Sequence, residues 1–205
     1  MLKRTGFILL LSIISVNLKA VDLDQLTWFN GEIYLMDGTW LQGKVSYSVN
    51  SDVVKINDDG RIKAFSPVKV NHFSFYDDIY EMNRTFYALP HQDKQYPKIV
   101  FFELIHEGEV ALLSRLSLLH VNQKIYVDTP IILESELPDW ARMDNYYIMK
   151  RNGEMHNFNG TTTSLLEILQ HQKPVKEFIK SEQIDLRDRG DLSLLMNFYD
   201  TFFRT

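Results

Sequence analysis

The chain has 205 residues, 45% of them hydrophobic and 13% aromatic, with 22 Lys and Arg against 27 Asp and Glu, a net of −5. That is a globular composition, too apolar for a disordered segment and too acidic for general nucleic-acid or anionic-lipid binding, which relies on basic side chains to neutralise phosphate. It contains no cysteine, which excludes disulfides, a thiol nucleophile, thiolate metal ligands and a lipid attached through cysteine within these residues.

The first predicted element is an export signal over residues 1–20. Lys3 and Arg4 are a basic start, Phe7–Val16 is an apolar run, and Ala20 supplies a small residue at the cut. The run is half the roughly 20 apolar residues a membrane-spanning helix requires. The expectation is an exported, non-lipidated protein, periplasmic or secreted, beginning near Val21 and without a transmembrane segment. Removing Lys3, Arg4 and Lys19 leaves 19 basic residues against 27 acidic, a net of −8.

Residues 21–160 read as an antiparallel β-rich domain. Glu32–Met36 and Thr39–Val49 flank Asp37-Gly38, a pair suited to the positive φ angles of hairpin turns. In the second run Leu41, Val45, Tyr47 and Val49 share a core face, while Gln42, Lys44, Ser46 and Ser48 are predicted to face water. Val53–Ile56 and Arg61–Phe65 form the next hairpin around Asn57-Asp58-Asp59-Gly60. In Val68–Tyr76 the phase slips, Val68 and Val70 against Phe73 and Phe75, which predicts a β-bulge near Asn71-His72. Arg84–Leu89 is a strand ended by Pro90. Lys98–His106 is apolar on both parities and should be covered on both faces. Glu107-Gly108 turns it into Glu109–Leu119. Ile125–Leu133 is a strand broken by Pro130, and 134–144 is a loop carrying Trp140. Asn145–Lys150 and Glu154–Phe158 flank Asn152-Gly153, another hairpin signal.

Residues 161–205 switch to helical spacing. Thr161–Thr163 caps a helix carrying Leu165, Leu166, Ile168 and Leu169. Pro174 suits the first turn of a second helix, and Asp191 begins a third after a break at Gly190. Helices this short do not hold alone in water, so their apolar stripes must pack on the sheet, on each other or on a partner. The fold class is therefore α+β: an antiparallel, hairpin-rich sheet or partly open barrel followed by a short C-terminal helical segment.

The order of elements resembles exported bacterial β-rich proteins of unknown function. The similarity rests on GEIYLMDGTWLQGKV (31–45), KIVFFELIHEGEVALLSR (98–115) and the helical segment LLEILQHQKPVKEFIKSEQIDLRDRGDLSLLMNFYD (165–200). It implies a fold and an address, with no activity or site residues to transfer.

Catalytic signatures are missing from the sequence. The six histidines (72, 91, 106, 120, 156, 171) form no His-Glu-x-x-His, and there is no Gly-x-Ser-x-Gly elbow or phosphate-cradling glycine loop. His106-Glu107-Gly108-Glu109 and Asn57-Asp58-Asp59-Gly60 read as turns before they read as cation sites, since the second lacks the Glu a calcium loop needs. Asp77/Asp78 and Glu134/Glu136 are the carboxylate pairs a hydrolase would use, if space brings them together. Arg189-Gly190-Asp191 reads as a helix boundary. No catalytic residue, metal ligand or cofactor is assigned. Trp28, Trp40, Tyr146 and Tyr147 form the candidate aromatic contact surface for an envelope protein or a glycan. The preferred reading is a noncatalytic binding or structural module of the cell envelope; a hydrolase and a carbohydrate-binding module are the alternatives.

Overall fold

A computed structural model describes residues 28–49, 51–78, 80–92, 96–118 and 142–203. The predicted export signal, the predicted strand at 125–133, residues 134–141 of the predicted loop with Trp140 and the Glu134/Glu136 pair, and His120 lie outside them; the end of that loop, residues 142–144, is instead the start of a strand that pairs with residues 116–118.

Ten strands form one antiparallel sheet: β1 (Phe29–Leu35), β2 (Trp40–Ser48), β3 (Val53–Asp58), β4 (Arg61–Phe65), β5 (Val70–Asp77), β6 (Met82–Gln92), β7 (Pro97–His106), β8 (Val110–Leu118), β9 (Arg142–Lys150) and β10 (Met155–Phe158). Their order is β10-β9-β8-β7-β6-β5-β1-β2-β3-β4. Two meanders, β1–β4 and β5–β10, are thus joined where β1 lies against β5. A 3-10 turn, Pro67–Lys69, returns the chain from the outer edge to that seam.

The turns follow from local chemistry. Asp59 and Gly60, at φ 48° and 84°, connect Asp58 to Arg61 as a two-residue turn with both angles positive. The β1–β2 and β9–β10 hairpins share a construction: Gly38 and Gly153 take φ 86° and 84°, and the preceding Asp37 and Asn152 accept the backbone N–H of Thr39 and Glu154. The predicted bulge is present. Tyr34 pairs with His72 and Leu35 with Val70, leaving Asn71 as the extra residue. The shift lets Val70, Phe73 and Phe75 all face the core, each at most 2% exposed.

The sheet curls strongly but stays open. Tyr47 on β2 and Phe101 on β7, four strands apart in the order, meet edge to face at 5.5 Å. Arg115 on β8 donates to Phe101 O at 2.9 Å and reaches Asp52, in the β2–β3 turn, at 3.4 Å. Facing glycines permit the curl: a Cβ on Gly31 would lie 2.8 Å from Phe75 Cβ and against Ser74 O, and one on Gly43 would lie 2.6 Å from Asn57 O. Of the two forms expected from the sequence, the open one holds, since among the described residues β4 and β10 end the order without pairing to each other. Arg61 and Lys63 guard the β4 edge with charge.

The inside of the curl is one core, including Ile33, Val45, Val54, Ile56, Phe73, Phe86 and Phe101. The same face of β8–β10 is covered by α1 (Thr162–Ile168), α2 (Gln172–Ser181) and α3 (Arg189–Asp200). Leu165, Val175, Leu192, Leu195 and Met196 meet Leu112, Tyr146, Ile148 and Phe158 there. Thr161 caps α1 by accepting Ser164 N, and Asp188 caps α3 by accepting Asp191 N. A further cluster, Val100, Phe102, Leu113 and Tyr147, buries the second face of β7–β9, as the double parity of residues 98–106 required.

Three details differ from the sequence reading. Ser46 and Ser48, expected to be wet, are 2% and 5% exposed. Strand β6 runs through Pro90 to Gln92, because beyond Tyr87 its register with β5 has ended and β7 alone pairs with it, an edge position where a missing N–H is tolerated. Gly190 lies in the first turn of α3, not before it.

Two core substitutions test this architecture by urea unfolding. Leu195→Ala, at a fully buried position between helix and sheet, is expected to cost about 2–5 kcal/mol. Gly31→Ala is expected to cost about 1–3 kcal/mol, since the added methyl meets backbone at the seam. Wild-type stability in Gly31→Ala would show that the close approach is not a constraint.

Candidate functional site

Two places concentrate polar chemistry, one inside the curl and one on its outer face. Inside, Arg84 donates from Nε and Nη2 to the two carboxylate oxygens of Glu103 at 2.9 and 2.8 Å, and from Nη1 to Asp77 at 3.2 Å. Arg189, at the start of α3, adds a bond to Glu103 Oε1 at 2.6 Å. The Arg84 guanidinium also lies 5.4 Å from the Phe86 ring centre. Burial pushes the Glu103 carboxyl up, but Arg84 and Arg189 outweigh it and hold the group below the usual carboxylate range. Beside this lock Tyr47 donates to Asp52 at 2.7 Å, and burial drives its phenol well above its ordinary value.

The space beside these charges is about 20 Å³, room for about one water molecule. A general base needs a raised pKa and access to substrate. Glu103 has neither, so the cluster works as a lock between α3 and the sheet.

The outer face is built differently. Cross-strand pairing places residues in rows over β2, β1, β5 and β6. The first row is aromatic: Trp40, Tyr34, His72 and Tyr87. Their ring centres are 6.3, 4.4 and 5.3 Å apart in succession, all stacked. The second row is Gln42, Glu32, Ser74 and Thr85. In the third, Lys44 pairs with Asn30 and Tyr76 with Asn83. None of these twelve side chains is aliphatic, and every one is partly or fully exposed. Glu32 ties the rows together by accepting from Trp40 Nε1 at 3.0 Å and from Ser74 Oγ at 3.2 Å. The second and third rows other than Thr85, with Asn57, Asp58 and Asp59, line an open groove of about 740 Å³.

His72 stands between two tyrosine rings with Nδ1 at 2.8 Å from Asn71 Oδ1. Burial lowers its pKa, and the Glu32 carboxylate pulls partly in the other direction. Within the row the rings face each other, so Tyr34, His72 and Tyr87 offer edges outward. Trp40, at the end of the row, is 52% exposed.

The four predicted contact aromatics are not brought together. Trp40 is on this face. Trp28 is half-buried just before β1. Tyr146 and Tyr147 are 6% and 7% exposed and point to opposite faces of β9, the first into the helix-side core and the second against Phe102 at 5.0 Å. The residues missed by sequence reading are Tyr34, His72, Glu32 and Asn30; the even-numbered alternation of β1 and β5 carried that signal, but only register shows that the rows align.

The remaining candidates are structural. Asp77 is buried on Arg84, while Asp78 is exposed. His106 Nε2 lies 2.8 Å from Asp200, which also accepts Glu109 N–H at 2.9 Å. Arg189 of the Arg-Gly-Asp tripeptide is committed to Glu103, and Asp191 accepts Asp185 N–H at 2.7 Å. Asp58 and Asp59 belong to the β3–β4 turn. Among the described residues no group of three His, Asp or Glu is placed to hold a metal ion, and no helix is long and apolar enough to cross a membrane.

No family model, curated protein or solved structure matches this chain.

The two sites give two predictions. Glu103→Gln leaves Arg84 and Arg189 without their shared charge and is expected to cost about 3–5 kcal/mol in urea unfolding. Because the folded pKa of Glu103 is depressed, its contribution is present above the ordinary Glu value of about 4.3 and is lost as pH falls through the lower folded value. The pH dependence of stability between those two values should therefore flatten in the variant. For His72, NMR titration should give a midpoint below about 6.5, and Glu32→Gln should lower it further. An unshifted midpoint would mean that the imidazole is not desolvated by its stack.

Proposed function

We propose that this chain is a noncatalytic binding module of the bacterial cell envelope, and that the outer face of β2, β1, β5 and β6 is its contact surface. The observation that carries the reading is the uninterrupted set of aromatic and hydrogen-bonding rows on that face. A solvated sheet face needs only polarity. This one adds an aromatic row stacked across four strands, a carboxylate bridging two rows and a groove of about 740 Å³ beside it. The two central strands, β1 and β5, are each paired on both sides, so the side chains they carry are held ready for a ligand. The envelope assignment rests on the export pattern of residues 1–20.

The hydrolase alternative has weaker support. The buried carboxylates are neutralised by arginine in a closed space, and His106 with Asp200 fastens a turn to a helix.

Co-sedimentation of the full chain with purified envelope fractions (sacculi, membrane vesicles and surface polysaccharide) tests the proposal. The wild type is expected to sediment with at least one fraction. The double variant Asn30→Ala, Gln42→Ala should lose about ten-fold in affinity or more with an unchanged thermal midpoint. A double variant that binds as the wild type does would remove the face from the function.

A further inference from the structure

Resting on that binding-face reading, we infer that the ligand is a neutral glycan, lying along the groove with its sugar rings against Trp40 and Tyr76.

The chemistry of the face decides among ligand classes. Among the described residues Lys44 is the single basic residue lining the groove, against Glu32, Asp59 and Asp58, the last of which is paired with Lys63 at 3.4 Å. A polyanion, whether nucleic acid or an acidic lipid surface, therefore meets repulsion. A peptide strand adds to a sheet through free backbone N–H and C=O groups, and β1 and β5, which run under the middle of the patch, are each paired with a strand on both sides. A docking helix needs aliphatic or aromatic pockets for its apolar stripe, and the three rows contain no aliphatic side chain. A sugar chain carries the opposite surface: hydroxyls that donate and accept, around apolar C–H faces.

The groove matches that surface group by group. Asn30, Gln42, Asn57 and Asn83 line it, and each side-chain amide has both donors and an acceptor. Trp40 and Tyr76, 52% and 42% exposed, stand on opposite sides of the patch. Tyr34 stacks on one side of the Trp40 indole at 6.3 Å, and the ring is anchored by the Nε1 bond to Glu32. Its remaining surface is open to a sugar face, and the anchor removes rotamer freedom that binding would otherwise have to remove. Uncharged sugars suit the groove because Lys44 is outnumbered there by carboxylates.

Affinity gel electrophoresis and calorimetry of the full chain test this with dextran, xylan, glucomannan, a soluble β-1,3-glucan and chito-oligosaccharides as neutral probes, and heparin as the anionic one. At least one neutral glycan is expected to bind, heparin is not, and Trp40→Ala and Tyr76→Ala are each expected to weaken binding about ten-fold. Circular dichroism identifies any variant that fails to fold; Trp40→Phe then replaces Trp40→Ala and should retain part of the affinity. If no neutral probe binds while envelope fractions still bind through Asn30 and Gln42, the glycan assignment falls and the binding face stands. If heparin binds and Lys44→Ala abolishes it, the neutral assignment is overturned. If a neutral glycan binds equally well to Trp40→Ala, Tyr76→Ala and the Asn30→Ala, Gln42→Ala variant, both readings fail.

Discussion

Strand β1 pairs with β2 on one side and with β5 on the other, and without the second pairing the chain would be two separate meanders. Several features converge on that seam. The Asn71 bulge resets the facing of β5 so that Phe73 and Phe75 point inward. Gly31 and Gly43 remove the side chains that would hold the backbones apart. The resulting curl brings β2 to β7 and β8, and the core can then fill from both meanders at once. Pleating converts the same pairing into an outer face: once the odd-numbered residues of β1 are committed to the core, Asn30, Glu32 and Tyr34 must project outward.

The helical segment is registered on the sheet by charge at both ends of α3. At its start Arg189 reaches Glu103, already gripped by Arg84. At its end Asp200 accepts from the β7–β8 turn and its carboxylate lies over Gly108, where an added side chain would displace it. Apolar packing between these points supplies most of the energy but is tolerant of sliding. Buried ion pairs are not, because a displaced partner leaves a desolvated charge. Glu103, Asp200 and Arg189 are thereby occupied in holding the fold.

The perturbed Glu103 and Tyr47 of the interior belong to the lock between α3 and the sheet or stand beside it. Titratable groups with perturbed pKa values often mark active sites. Here burial raises both groups, Arg84 and Arg189 outweigh it at Glu103, and Asp52 adds to it at Tyr47, around a space of about 20 Å³. The outer groove is lined by four side-chain amides, the hydroxyls of Ser74 and Tyr76, and the charged Glu32, Lys44, Asp58 and Asp59.

What the sequence alone determined is local. Asp37-Gly38, Asp59-Gly60 and Asn152-Gly153 specify turns because few other pairs adopt their φ angles. The phase slip at Asn71-His72, the Thr161 cap and the two-sided burial of β7 were readable for the same reason, since each depends on neighbours a few residues away. Tertiary structure alone decided the rest. Glu32 meets Ser74 across 42 residues, and Arg189 meets Glu103 across 86. Tyr146 and Tyr147 carry the same aromatic character in the sequence as Tyr34 and Trp40, yet helices and β7 bury the first two while the latter pair line an uncovered face. Residue type sets what a side chain can do, but register between distant strands sets which side chains stand together, and no short-range pattern encodes that alignment.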